Sequence, residues 1–252
     1  MDFQNKRTAP AIAVKLDLAW GLAFTMATAL AAVWYWRLPI QTMASALVMF
    51  VFLSACVLRF WPSDQSFGPA NRATLLRASL VITLLASAPF IGQLSAGNWD
   101  TQLWSYAVLA LVALILDGVD GAIARAKQCE SNFGARFDME LDAALILGLC
   151  IAVLALGKAG AWVLALGLMR YAFISAATVF QWLNAPLPDS FRRKTVCVWQ
   201  IVTLMVAILP PVPSAFASVT LALALGLLAW SFARDIRWLF QRRFAHDCRK
   251  SY

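Results

Sequence analysis

Between residues 117 and 142 the chain reads DGVDGAIARAKQCESNFGARFDMELD. Four of its carboxylates form two pairs: Asp117 and Asp120 are three residues apart, Asp138 and Asp142 four apart. On a helix either spacing puts both members on one face. Four acids gathered in an apolar setting repel one another and are costly to desolvate, so they call for a cation. Hard divalent ions such as Mg²⁺ or Mn²⁺ take oxygen ligands and complete their shell with phosphate oxygens. Two such ions bridged by carboxylates clamp the attacking and leaving oxygens of a phosphoryl-type transfer. A carboxylate not fully committed to metal can then take the proton of a nucleophile. Gly121, Ala124 and Gly134 lie close by, and their small side chains allow a flat base or a phosphate to approach the backbone. Arg125 is placed to meet an anionic diphosphate with its planar donor fork. Glu130 and Glu140 fall between the pairs and read either as solvated charges or as supports behind the ligating acids.

The elements that position these residues follow from composition. Of the 252 residues 62% are hydrophobic and 13% charged, against about half and one quarter in a soluble domain. Hydrophobic segments run over about 17–36, 40–60, 73–93, 102–122, 139–157, 160–182, 195–210 and 213–233, most of them near the roughly 20 residues that cross a bilayer. Pro39, Pro62, Pro69, Gly97, Gly157, Gly160, Pro186, Pro188, Pro210, Pro211 and Pro213 punctuate them. Runs this continuous favour helices over the short alternating strands of a barrel. The spacing therefore predicts an all-α integral membrane protein with about eight transmembrane helices. The first carboxylate pair then ends the fourth span and the second begins the fifth, joined by residues 126–137.

Charge orients the bundle. Lys6, Arg7 and Lys15 precede the first span, and Arg59, Arg72, Arg125, Lys127, Arg136, Arg192, Arg193 and Lys194 occupy the even connections. The alternate connections hold only Arg37 and Lys158. The positive-inside rule puts both termini and the carboxylates at the cytoplasmic face of the inner membrane. The same rule accounts for the net charge of +8, and no nucleic-acid module accompanies it. The first hydrophobic run is too long for a signal peptide and reads as a retained helix. Cys56, Cys129, Cys150, Cys197 and Cys248 show no CxxC pairing and read as small hydrophobes. The stretch 233–244 mixes arginines with Ile236, Trp238, Leu239, Phe240 and Phe244, so it either extends the last helix along the membrane surface or simply ends it.

At every defined position the order Asp117-x-x-Asp120-Gly121-x-x-Ala124-Arg125, eight residues, Gly134, three residues, Asp138, three residues, Asp142 resembles the signature of the CDP-alcohol phosphotransferase family. The resemblance implies a six-helix catalytic core over residues 69–235, after an extension of two transmembrane helices (1–68) and before a basic tail (236–252). It implies that Asp117, Asp120 and Asp138 ligate metal, and that Asp142 completes a two-ion site and acts as base on the acceptor hydroxyl. Gly121, Ala124, Gly134 and Arg125 then hold the CDP portion of the donor. The segment from Pro69 to Arg77 is similar to the entry of the family's first core helix and makes Thr74 and Arg77 donor-site candidates. Arg193-Lys194-Thr195 is similar to the start of its fifth and offers phosphate or acceptor contacts. Arg170, in mid-span, should face the bundle interior and pair with a substrate phosphate or an aspartate. The expected partners are a CDP-linked lipid donor, CDP-diacylglycerol first, a small or lipid alcohol acceptor, membrane lipids, and a second copy in a homodimer. CMP is the expected leaving product, in phospholipid biosynthesis.

Two other classes compete. Intramembrane carboxylates mark transport paths, but a carrier favours charge at the midplane on broken or repeated helices, whereas these acids collect at one edge. A metal-dependent hydrolase would use water in place of the alcohol.

Overall fold

Eight α-helices carry the described residues, and no strand occurs among them: α1 (Asn5–Trp36), α2 (Gln41–Phe60), α3 (Gly68–Ser87), α4 (Trp99–Ala126), α5 (Asn132–Ala155), α6 (Leu164–Val179), α7 (Phe191–Ile208) and α8 (Ser214–Arg249). Short 3₁₀ turns follow α3 (Ala88–Gln93), precede α6 (Ala161–Val163) and follow α6 (Gln181–Asn184). The structure, a computed structural model, describes the backbone of residues 5–61, 68–93, 99–126, 132–185 and 190–249. Side chains are described for residues 13–61, 68, 71–93, 100–118, 133–183, 185 and 190–242.

Six helical stretches are long and apolar enough to cross a membrane: Ala13–Trp36, Gln41–Phe60, Asn71–Gln93, Asp100–Gly118, Ala161–Val179 and Ser214–Arg242. The chain is thus an all-α, multi-pass membrane protein. The other two helices, α5 and α7, run within the same bundle, but their first turns are polar. α5 carries Arg136, Asp138, Glu140 and Asp142, and α7 carries Arg192, Arg193 and Lys194. Those charges also account for one correction. The sequence suggested residues 126–137 as the connection between the carboxylate pairs, but α5 already begins at Asn132. Asp138 and Asp142 therefore lie in its second and third turns. Hydropathy registers only the apolar part of a helix whose opening turns are charged.

The centre of the bundle is α3. Its apolar stretch is 72% buried, whereas the other five are between 17% and 33% buried. A helix so enclosed can keep hydroxyl groups only if each finds a partner. Ser79, Thr83 and Ser87 donate back to the carbonyls of Leu75, Ser79 and Thr83 at 3.1, 2.9 and 2.7 Å. α1 lies along this helix. Asp17 pairs with Arg72 at 2.9 Å, Thr28 shares a hydrogen bond with Thr83 at 2.8 Å, and Trp36 donates to Ser105 of α4 at 2.8 Å. Close approach depends on Gly21, where a Cβ atom would stand 2.9 Å from Leu75 and 3.0 Å from Phe50.

Small residues likewise join α5 to α6: a Cβ atom on Gly167 would meet the backbone of Leu147 at 2.9 Å. Beyond α5, Gly157 takes a left-handed φ of 65°, the helix-ending conformation that glycine adopts without cost. Lys158 then donates to the carbonyls of Leu209 (3.1 Å) and Val212, while the Ser218 hydroxyl donates to the Lys158 carbonyl at 2.9 Å. These bonds fasten the α5–α6 connection to the α7–α8 turn. At the other end α8 continues as one helix to Arg249, so the basic tail extends the last span instead of ending it.

Candidate functional site

Asp117 ends the apolar part of α4, and Asp138 and Asp142 lie in the second and third turns of α5. Each of the three residues presents a carboxylate oxygen within 4.8 Å of the other two. An octahedral ion with ligand bonds of about 2.1 Å needs oxygens roughly 3 Å apart in neighbouring positions and roughly 4 Å apart in opposite ones. The three acids supply the hard oxygen donors such an ion takes, gathered to within 4.8 Å. Asp120, Gly121, Ala124 and Arg125 lie on the last turns of α4, but their side chains are outside the described residues, as is all of Glu130.

Arg77 of α3 occupies the middle of this group. Its Nη1 lies 2.5 Å from Asp117 and contacts Asp138, and its Nη2 lies 2.7 Å from Asp142 and 3.3 Å from the Asp138 carbonyl. The guanidinium side chain is 1% exposed, against 31%, 41% and 32% for Asp117, Asp138 and Asp142. The sequence marked Arg77 as a donor contact; here its terminal nitrogens serve the acids directly. Among the described side chains three carboxylates face one guanidinium here, an excess of negative charge that a divalent ion would relieve. Thr74, one turn before Arg77, is buried, and Gly134 is half-buried one turn before Asp138.

A cavity of about 320 Å³ opens beside Asp142 between α5, α6, α7 and α8. Ile146, Leu166, Phe173 and Phe232 form much of its wall, and Arg170 and Arg193 bring positive charge to it. Arg170 pairs with an acid, as a mid-span arginine must, but the acid is Glu140, at 2.7 Å, and not an aspartate. Its Nε is buried with no hydrogen-bond partner while the residue lines the cavity. Arg193 lies 3.9 Å from Asp235, and Lys194 is exposed.

Sequence reasoning passed over three residues here. Arg192, read only as a topological charge, donates to the Ser231 carbonyl (2.9 Å), the Ser231 hydroxyl (2.7 Å) and Asp235 (2.6 Å). Asp235 is the acid that locks α7 to α8, and an acid set among arginines was the signal available for it. Glu140, read as solvated or as a support behind the acids, is the counter-ion of Arg170. The sequence model of one protein family, described as CDP-alcohol phosphatidyltransferase, matches residues 67–230. No curated protein and no solved structure matches the chain.

Proposed function

The chain belongs to the CDP-alcohol phosphatidyltransferase family, and on that premise we propose that it moves a phosphatidyl group from CDP-diacylglycerol to a hydroxyl acceptor and releases CMP. The reaction class, transfer from a CDP-alcohol, comes with the family; the lipid donor and the residue roles are the proposal. The observation that carries it is the convergence of Asp117, Asp138 and Asp142 on one point at one end of the bundle. A lipid-linked donor suits a site at the ends of apolar helices, where its acyl chains stay in the membrane while its diphosphate meets charge.

In this reading Asp117, Asp120, Asp138 and Asp142 hold two divalent ions, Mg²⁺ or Mn²⁺, which supply neutralising charge to the donor diphosphate. Gly121, Ala124, Gly134, Arg125 and Thr74 receive the cytidine and phosphates. Asp142 faces both the acid cluster and the cavity, so it accepts the proton of the acceptor hydroxyl. The freed oxygen attacks the β-phosphorus, the bond from that phosphorus to the bridging oxygen breaks, and CMP departs with the electron pair. Arg170, Arg193 and Lys194 serve the acceptor or its phosphate. In this reading residues 69–235 are the catalytic unit, and the positive-inside rule supports a cytoplasmic site with both termini on the same side.

The test is to incubate the purified protein with labelled CDP-diacylglycerol, Mn²⁺ or Mg²⁺ and a panel of alcohols. CMP should appear only with an acceptor and cease on chelation. CMP output that persists under exhaustive chelation, or that is unaffected by any alcohol, refutes the reading.

A further inference from the structure

Helices α1 and α2 precede the region matched to the family, which begins at residue 67. Yet the end of α2 reaches the start of α5. Trp61 meets the ring of Phe133 edge-on, with centroids 5.1 Å apart and planes at 89°, and Phe133 leans on Phe137 at 5.9 Å. Phe133 and Leu53 of α2 pack against a small buried cluster of Ala78, Phe137 and Leu141. Each member of that cluster is the chain neighbour of a charged residue in the site: Ala78 follows Arg77, Phe137 precedes Asp138, and Leu141 precedes Asp142. A helix fixes the direction of one side chain relative to the next, so whatever holds these three apolar residues also aims the three charges.

We propose that the two-helix extension is a positioning element of the acid site, with Trp61 bracing Phe133 and thereby the opening turns of α5 that carry Gly134 and Asp138. The extension also sheathes α3, through Asp17–Arg72 and the Gly21 contact, on the helix that delivers Arg77. The proposal rests on the reading of the acids as the metal and donor site.

The test uses the full chain in detergent, with CDP titrated into protein loaded with Mn²⁺. Trp61→Ala should weaken CDP binding about two- to ten-fold, the range that one edge-to-face ring pair carries. Trp61→Phe, which keeps a ring edge, should restore it. Leu58→Ala, on an exposed position of the same helix, should change nothing. In turnover the KM for the donor should rise more than kcat falls. If Trp61→Ala does not fold, Trp61→Leu, which keeps bulk without the ring edge, takes its place and should show the same loss. Unchanged CDP affinity in the ring-less variant, or a loss that Trp61→Phe does not recover, overturns the positioning role. Wild-type protein that fails to bind CDP with Mn²⁺ overturns the functional reading beneath it, a result separable from the first two.

Discussion

Replacing Arg77 by methionine removes a cation from the middle of three acids while keeping most of the side chain's bulk. Breaking a fully buried ion pair by deleting one partner costs about 3–5 kcal/mol. Arg77 itself is buried, but Asp117, Asp138 and Asp142 are each about a third or more exposed, and water screens part of their repulsion. The expected loss in metal-free protein is about 2–3 kcal/mol, discounted from that range. For a chain of this size that amounts to a fall of about 4–12 °C in melting temperature. A divalent ion on the same oxygens supplies the missing counter-charge, so Mn²⁺ should stabilise the variant more than the wild type. Binding at a hundredfold excess over Kd is worth about 2.7 kcal/mol, and more where unrelieved repulsion tightens the site. The assay is thermal unfolding in detergent, followed by tryptophan fluorescence, with EDTA or with saturating Mn²⁺. Arg77→Met should show a wide gap from wild type in EDTA and a narrow one in Mn²⁺. An equal gap in both conditions refutes the counter-charge role and leaves Arg77 as an ordinary packing residue.

Asp142→Asn keeps a hydrogen-bond acceptor for Arg77 but removes the base, so turnover should fall by about 10²- to 10⁴-fold with the fold retained; near-normal CMP release with an alcohol acceptor would contradict the assignment. Burial holds the Lys158 ammonium below its ordinary pKa. As pH climbs through that lowered value towards the ordinary lysine value of about 10.4, the folded chain sheds a proton that the unfolded chain keeps, and stability rises. The difference in melting temperature between wild type and Lys158→Met should therefore shift in favour of wild type across the alkaline range, and a difference that stays flat with pH rules the effect out.

What the sequence made legible was local. The pairs at 117/120 and 138/142 are spaced by helical turns, and one chain reversal suffices to bring Asp117, Asp138 and Asp142 together. Long apolar runs marked the helices, and glycine and proline marked their ends. What escaped was set by tertiary packing. Arg77 is 61 residues from Asp138 and 65 from Asp142, and nothing in its local pattern told a contact with the acids from a contact with a substrate. The Arg170–Glu140 and Arg192–Asp235 pairs join helices whose relative rotation no periodicity encodes. The first turns of α5 escaped because their charges hid a helix that hydrogen bonding continues regardless of hydropathy.

The unbroken course of α8 has a mechanical corollary. Thirty-six residues make a rod of about 54 Å, some 24 Å more than the hydrocarbon thickness of about 30 Å. The surplus is not hinged to the span; it is the same rod. Leu228, Phe232 and Asp235, which wall the cavity beside Asp142, sit on it about 21–32 Å from its start at Ser214, where the hydrocarbon thickness runs out. A sideways load on the outer turns is therefore felt at that wall as tilt, and the width of the cavity is tied to whatever the far tip leans against.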